Sequence, residues 1–230
     1  KNRLDNFFEE YDYIDMIVNG EGELTFENIL IESLKDKPNY KNVEGISTKD
    51  YVTMDRQRIK DLDSMPSPYL DGLFDKILLD NPNDTFEAAL ESVRGCPYQC
   101  TFCEIGDKYF QKIEKQSNEK VFAELDWISK NKILFFYNAD SNYGLFPQHL
   151  DQVKYMTKLK RETGYPDMMM VDWAKSRADK VIELARILTD NKLLKGITIA
   201  LQTLNPDVLK AVKRKNVDNN KLKEFVDLYK

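Results

Sequence analysis

Histidine and cysteine are scarce in this chain of 230 residues, which has one histidine and three cysteines. An odd number of cysteines does not fit a disulfide framework, in which cysteines pair. The lone histidine, His149, excludes zinc sites that need two histidines. No apolar run approaches the roughly 20 residues of a membrane-spanning helix, and the first residues do not lead into the apolar core of a signal peptide. A net charge of −5 gives no support for general nucleic-acid binding.

The three cysteines, Cys96, Cys100 and Cys103, follow one another in a C-x3-C-x2-C spacing. Three thiolates this close can hold three irons of a cubane 4Fe-4S cluster and leave the fourth iron open to a small-molecule ligand. Protein clusters normally use four thiolates, and structural zinc normally takes four ligands. Zinc, or three unrelated thiols, remain the alternatives. Clustered thiols without a disulfide pattern suit a reducing cytosol, which predicts a cytoplasmic protein.

Apolar runs of strand length alternate with helical patterns after the cysteines. Residues 133–137 are continuously apolar, which is typical of a strand buried on both faces of a parallel sheet. Ser117, Pro147 and Asn205 stand where helices should begin, and Gly164 where one should end. The predicted strands cover residues 88–93, 133–137, 168–171 and 197–201. This pattern predicts an α/β fold with four β/α units, in which functional groups follow the carboxyl ends of strands.

Two features of the same region are predicted to have plain structural roles. The basic run at residues 210–215 (KAVKRK) should be a solvated helix face rather than a phosphate-binding patch. His149 should be an ordinary residue in the first turn of the helix that begins near Pro147. Neither is assigned to a functional site.

The segment before the cysteines has a different pattern. Residues 15–18 are predicted to form a short strand, residues 20–23 (GEGE) a glycine-rich turn, and residues 26–34 a helix. Such a turn can bind a polar ligand through helix amides, although an ordinary tight turn explains the glycines equally well. Residues 36–85 are predicted to be a linker with one hairpin, in which residues 43–46 pair with 51–54, followed by an extended, proline-punctuated connector over 61–70.

Taken together, these segments resemble radical S-adenosylmethionine (SAM) enzymes that carry an N-terminal cobalamin-binding domain. The segments that carry the resemblance are GEGELTF (20–26), LDSMPSPY (62–69), the cysteine motif with Phe102, DSNYG (140–144), WAK (173–175) and QTL (202–204). The resemblance implies a partial parallel (β/α)6-type radical SAM barrel, preceded by the C-terminal end of a Rossmann-like cobalamin-binding domain. The implied division is 1–35 for the end of the cobalamin domain, 36–85 for the linker and 86–230 for a truncated radical SAM core. We therefore expect the chain to be a fragment.

The resemblance also implies roles for single residues. Cys96, Cys100 and Cys103 would bind three irons, and SAM would chelate the fourth. The implied SAM-binding residues are Phe102, Asp140, Asn142, Lys175 and Gln202, and the implied cobalamin-binding residues are Gly20, Glu21, Gly22 and Glu23. Asp140 and Asn142 could instead be turn formers, and Lys175 and Gln202 could face solvent.

The activity implied by the resemblance is cleavage of SAM to a 5′-deoxyadenosyl radical, with cobalamin-dependent methylation or rearrangement at an unactivated carbon. The implied partners are a small-molecule or peptide substrate and an electron donor such as flavodoxin or ferredoxin. A methylthiotransferase of the same superfamily is one alternative, but it normally needs a second cluster, and this chain has no further cysteines. A non-catalytic iron–sulfur module that senses redox state or iron is the other.

Overall fold

The computed structural model describes residues 6–217 and 219–227. The chain divides into two compact units between Lys60 and Asp61. Residues 36–60 thus belong to the first unit and residues 61–85 to the second, whereas the sequence predicts a separate linker over 36–85. The functional division into residues 1–35 and 86–230 stays a prediction.

The first unit is built around one antiparallel strand pair. Its elements are α1 (Phe7–Glu10), β1 (Met16–Val18), α2 (Glu23–Ser33) and β2 (Ile46–Thr48). Strands β1 and β2 pair with Ile17 opposite Ser47. After β2 the chain turns back, and the N–H of Thr53 donates to the carbonyl of Ile46. The predicted strand at 15–18 and the predicted hairpin are both confirmed, while the pairing of β2 with β1 was not foreseen.

The second unit contains the longer elements. In chain order they are α3 (Asp75–Asp80), β3 (Glu87–Leu90), β4 (Val93–Arg94), β5 (Glu114–Lys115), α4 (Asn118–Lys130), β6 (Phe135–Tyr143), α5 (Gln148–Thr163), β7 (Met168–Trp173), α6 (Ala178–Asp190), α7 (Pro206–Ala211) and α8 (Asn219–Asp227). Strands β3, β6 and β7 form a parallel sheet with β6 in the middle, and β4 pairs with β5 in a separate antiparallel pair. The α/β fold with a parallel sheet is confirmed.

Helices α4 and α5 are the crossovers between the parallel strands, α6 follows β7, and α5 contacts both of the other two helices. Each turns an apolar face to the core: Val121, Leu125 and Ile128 of α4 are buried at helical spacing, as are Val181 and Leu188 of α6. Burying these side chains is the main favourable contribution to the stability of this unit. The sheet is therefore held firmly where the cysteine loop leaves it.

Helix ends follow the predicted signals. The Ser117 hydroxyl accepts from the N–H of Lys120 at 3.2 Å, and the Asn205 side chain accepts from the N–H groups of Asp207 and Val208. Gly164 ends α5 in the left-handed region, with φ of 86°. These local signals mark the start of α4, the end of α5 and the start of α7.

Residues 197–201 do not form the predicted fourth strand. Instead of pairing in a ladder, the carbonyls of Ala200 and Leu201 accept hydrogen bonds from the side chains of Arg214 and Asn216. Gln202 then adopts a left-handed φ of 66°, which ends the extended run. The parallel sheet of the described residues accordingly has three strands. In the same part of the chain, no helix is both long and apolar enough to cross a membrane.

Candidate functional site

The cysteine loop leaves the sheet just beyond β3. Cys96 and Cys100 are buried and Cys103 is half-buried, and all three thiols are free of disulfide bonds. The loop is folded on itself: the N–H of Cys96 donates to the carbonyl of Phe110 at 2.8 Å, and the N–H of Cys103 donates to that of Cys100 at 3.1 Å. The backbone therefore presents the three sulfur atoms from a closed loop.

Two glycines allow this loop to close. Gly95 has a φ of 108°, and a Cβ there would lie 2.5 Å from the carbonyl oxygen of Lys112. A Cβ on Gly106 would lie 2.4 Å from the carbonyl oxygen of Cys100. Because these neighbours are backbone atoms, neither position accepts a side chain without moving the cysteine loop.

Gly106→Ala should therefore displace the loop around Cys100. We expect it to lower the free energy of unfolding by about 1–3 kcal/mol, as overpacking usually does, and to reduce iron retained after reconstitution. Denaturant unfolding and iron analysis measure both. Gly196→Ala is the matched control, because a Cβ there meets nothing within 4 Å. Equal iron retention in both variants would contradict this account of the loop.

A cavity of about 380 Å³ opens beside the cysteines, within the size range of small-molecule sites. All three cysteines line it. The side chains around them include Phe102, Tyr137, Ser141, Asp172, Lys175, Gln202 and Arg214. Three of the five side chains predicted to bind SAM are thus brought together with the cysteines: Phe102, Lys175 and Gln202.

Asp140 of β6 is fully buried. Its carboxylate accepts hydrogen bonds from the N–H of Ser92 at 2.6 Å and from the N–H of Val93 at 2.8 Å, and also from the Ser92 hydroxyl. Asp140 is not among the residues that line the cavity. Its contacts fix the segment that leads into Cys96, and it is neither a turn former nor placed beside the cavity.

His149 belongs to the same buried cluster, whereas the sequence predicts only an ordinary residue in the first turn of a helix. Its Nδ1 accepts from the N–H of Gly144 at 2.8 Å, so in the neutral ring the proton is on Nε2, which lies 3.1 Å from Asp140 Oδ2. The ring stacks on Tyr143 and is 0 % exposed. Burial, with the nearby Asp140, raises the pKa of Tyr143. The position of His149 in the first turn of α5 is confirmed, but its role is to support the cysteine loop through Asp140.

Asn142 is also buried and outside the cavity lining. Its Nδ2 lies 3.2 Å from the sulfur of Cys96, and its Oδ1 lies 3.5 Å from Nζ of Lys175. The side chain predicted to meet the SAM ammonium instead contacts a cysteine sulfur. Asn142 therefore contacts the cysteine loop and does not line the cavity.

Several cavity residues escaped the sequence analysis. Tyr137 and Ser141 line the cavity from β6, and Asp172 lines it from β7. The alternation of side chains along a strand would have revealed them if β6 had been extended to Tyr143. Arg214 corrects the prediction of a solvated face for residues 210–215, since it is only 5 % exposed and its guanidinium lies 5.9 Å from the centre of the Phe102 ring. Burial of one residue within a basic run left no signal in the sequence.

Tyr137 and Asp172 are joined across the two strands by a hydrogen bond of 2.7 Å from the phenol to the carboxylate. This bond, together with burial and the carboxylate charge, raises the pKa of Tyr137 to about 12. All three effects favour the neutral phenol. Their contribution to stability is present below the ordinary tyrosine pKa of about 10 and is lost as the pH rises through the folded value.

Asp172→Asn should therefore return the pKa of Tyr137 towards the ordinary range. The measurement is an ultraviolet titration, with the Tyr137→Phe titration subtracted to isolate this phenol. Asp151→Asn, on an exposed position of α5, is the control and should leave the titration unchanged. An unchanged Tyr137 pKa in the Asp172→Asn variant would show that Asp172 does not cause the raised pKa.

The glycine-rich turn of the first unit is held from within that unit. Gly20 has a φ of 83°, which favours glycine. The Glu21 carboxylate accepts from Nε of Arg58 at 3.0 Å and from the N–H of Ile59 at 2.6 Å. Gly22 stands at the start of α2. Glu21 therefore ties the turn to residues 58–59.

The donor set fits a cluster better than a single ion. Among residues 6–217 and 219–227, no three histidine, cysteine, aspartate or glutamate side chains come close enough together to hold one metal ion. The three cysteines nevertheless line one cavity. A cubane spreads its irons over separate corners, so that each thiolate binds a different iron. Three thiolates around a cavity match that requirement.

Comparison with known proteins agrees with this site. The family model of the radical SAM superfamily matches residues 90–230. The chain belongs to the radical SAM superfamily. A curated relative, the cobalamin-dependent radical SAM methyltransferase TokK of Streptomyces tokunonensis, is 32% identical over 99% of this chain and 34% of its own length. The 2-(S-pantetheinyl)-carbapenam-3-carboxylate methyltransferase of Streptantibioticus cattleyicolor is 33% identical over 94% of this chain and 33% of its own length. The chain thus spans about a third of these relatives.

Solved structures show the same fold. The cobalamin-dependent SAM radical enzyme OxsB matches 98% of this chain and 33% of its own chain, with a TM-score of 0.65 and 22% identity. The radical SAM methyltransferase TsrM of Kitasatospora setae, solved with cobalamin and a 4Fe-4S cluster, matches 95% of this chain and 45% of its own, with a TM-score of 0.65 and 14% identity. At these identities the likeness concerns the fold.

Proposed function

We propose that the protein containing this chain is a cobalamin-dependent radical SAM methyltransferase that acts on an unactivated carbon of a small molecule or peptide. The observation that carries the proposal is the cavity that the three cysteines of the motif share with polar groups from β6 and β7. The relatives are named as methyltransferases, which supports methylation over rearrangement.

In this proposal Cys96, Cys100 and Cys103 bind the cluster. When bound, the cluster supplies the single electron that opens the carbon–sulfur bond of SAM. Lys175 is half-buried, and its ammonium can attract the SAM carboxylate. Phe102 is 50% exposed and offers a ring face for the adenine.

The remaining cavity groups would orient SAM and the substrate. Gln202, which has a left-handed φ, lines the cavity and can offer its amide to either molecule. Asp172 and Ser141 supply hydrogen-bond acceptors for hydroxyl or ammonium groups. Asp140 and Asn142, which contact the cysteine loop, are left out of the proposed SAM contacts.

The first unit is proposed to be the end of a cobalamin-binding domain. The turn of Gly20, Glu21, Gly22 and Glu23 between β1 and α2 supports this, because helix N-terminal amides and glycines allow close approach of a polar ligand. The Glu21 carboxylate is engaged by Arg58 and Ile59. Backbone groups of the turn are therefore better candidates for contact than this side chain.

A protein of this kind needs a reductant, and we propose flavodoxin or ferredoxin. Three free thiols in one site suit a reducing compartment, which supports a cytoplasmic location. The absence of further cysteines from this chain leaves the methylthiotransferase alternative without support here. The cavity beside the motif favours an enzyme over a module that only carries a cluster.

The test is anaerobic incubation of the cluster-loaded full-length protein with SAM, cobalamin, a reductant and a panel of small-molecule and peptide substrates. We expect S-adenosylhomocysteine and 5′-deoxyadenosine, and methylated product with the right substrate. Phe102→Ala should raise the apparent Kd for SAM, whereas Asp151→Asn on the exposed side of α5 should not. A protein that holds the cluster and forms neither SAM product would overturn the proposal.

A further inference from the structure

Strand β6 contacts the cysteine loop through two buried polar side chains, Asp140 and Asn142. The Asp140 carboxylate accepts hydrogen bonds from the N–H groups of Ser92 and Val93. Two residues later, the side chain of Asn142 contacts the sulfur of Cys96. Tyr137 and Ser141 of the same strand line the cavity instead. Asn142 is thus placed to donate a hydrogen bond to the sulfur of Cys96.

The contact is specific to one of the three cysteines. Asn142 Nδ2 lies 3.2 Å from the Cys96 sulfur, with Asn142 3% exposed and Cys96 4% exposed. In the part of the chain that the structure describes, no side chain donates a hydrogen bond to the sulfur of Cys100 or Cys103. A buried N–H directed at sulfur is worth more than an exposed one, because no water competes for either partner.

Lys175 fixes which end of the amide faces the sulfur. Its Nζ is 3.5 Å from Asn142 Oδ1 and 5.7 Å from the centre of the Tyr98 ring. A cation attracts the carbonyl end of an amide and repels the NH2 end, so the flipped orientation is disfavoured at both ends. The three residues form a short chain from Lys175 through Asn142 to Cys96.

We infer that Asn142, oriented by Lys175, is a positioning residue that donates a hydrogen bond to the Cys96 thiolate and raises the reduction potential of the cluster. The inference rests on the proposed function, because it requires Cys96 to be a cluster ligand. A hydrogen bond to a ligating sulfur stabilises negative charge, and the reduced cluster carries one more negative charge than the oxidised one. The bond therefore favours the reduced form and makes Cys96 electronically distinct from Cys100 and Cys103.

The test is the midpoint potential of the cluster, measured without SAM by redox titration with electron paramagnetic resonance on the full-length holoprotein. Asn142→Leu removes the donor and should lower the potential. Lys175→Met should lower it by a smaller amount, since the amide remains but loses its orienting charge. Asn131→Leu is the matched control, because Asn131 donates only to the carbonyl of Trp127 at the end of α4, and its potential should equal that of the wild type.

Should Asn142→Leu fail to take up iron, the smaller Asn142→Val, which removes the donor without adding a charge, decides, with the same lowering expected. An unchanged potential in a cluster-loaded Asn142 variant overturns the inference and leaves the proposed function intact. A wild-type holoprotein without a cluster would instead overturn the proposed function. A merely structural role for Asn142 would change iron content or stability without moving the potential of the cluster that remains.

Discussion

Replacing Cys96, Cys100 or Cys103 singly with serine should remove most of the bound iron from the reconstituted protein. The wild type should hold about four irons per chain, as a cubane requires. The chain has no other cysteine that could take over, and a serine hydroxyl is not ionised at neutral pH. We therefore expect each variant to lose the cluster absorption and all SAM cleavage, measured by iron analysis, visible spectra and product chromatography.

Thr101→Ser is the matched control for these variants, because Thr101 is an exposed neighbour in the same loop. It should retain iron at the level of the wild type. A Cys103→Ser protein with full iron content and normal spectra would show that the half-buried thiol is not a ligand, and a metal held by two thiolates and other groups would have to replace the cluster.

Asp140→Ala should destabilise the second unit strongly. The change leaves the N–H groups of Ser92 and Val93 and the ring N–H of His149 buried without an acceptor. Removing one partner of such a buried polar cluster typically costs about 3–5 kcal/mol. Denaturant unfolding should report that loss, and hydrogen exchange at the Ser92 amide should accelerate. Because this segment leads into Cys96, iron retention should fall as well.

Asp140→Asn keeps the shape of the side chain at this position but replaces one carboxylate oxygen with an NH2 group. The amide keeps an acceptor for the two backbone donors, but its NH2 group would face the Nε2–H of His149, and Gly144 holds that ring in its tautomer. The cost should lie between those of the wild type and Asp140→Ala. Asp126→Ala, at an exposed position of α4, is the control and should cost less than about 1 kcal/mol. An Asp140→Ala protein as stable as this control would contradict the proposed support of the loop.

The elements that the sequence predicted well are those set by local rules. Ser117, Gly164 and Asn205 mark helix ends through hydrogen bonds and backbone angles within a few residues. The cysteine spacing likewise depends on neighbouring residues. Such signals can be recognised from the chain alone, because the groups that satisfy them are close in sequence.

On one strand, the residues that line the cavity differ from those predicted to bind SAM, and the SAM contacts themselves stay a prediction. The sequence analysis ended the second strand at Tyr137 and placed Asp140 and Asn142 in a loop, where either side chain could reach SAM. The strand continues to Tyr143, with a register shift between Asn138 and Tyr143, and both residues contact the segment that carries Cys96. Tyr137 and Ser141 line the cavity instead. An error of a few residues at a strand end changes which face is assigned to function.

Other misses depend on contacts that are distant in sequence. The segment at 197–201 has strand-like residues, but the side chains of Arg214 and Asn216 take its carbonyls. His149 is polar and near a helix start, and its burial against Asp140 depends on the packing of α5 on β6. Burial of a polar side chain is decided by tertiary packing, which hydrophobic periodicity does not record.

Electron paramagnetic resonance of the anaerobically reconstituted and reduced protein, with and without SAM, tests the central claim most directly. The account predicts about four irons per chain and a cluster signal that shifts when SAM is added, because the fourth iron is open to a ligand. Bound zinc, or a cluster signal that stays the same when SAM is added, would contradict the assignment of the three-cysteine cavity to SAM chemistry.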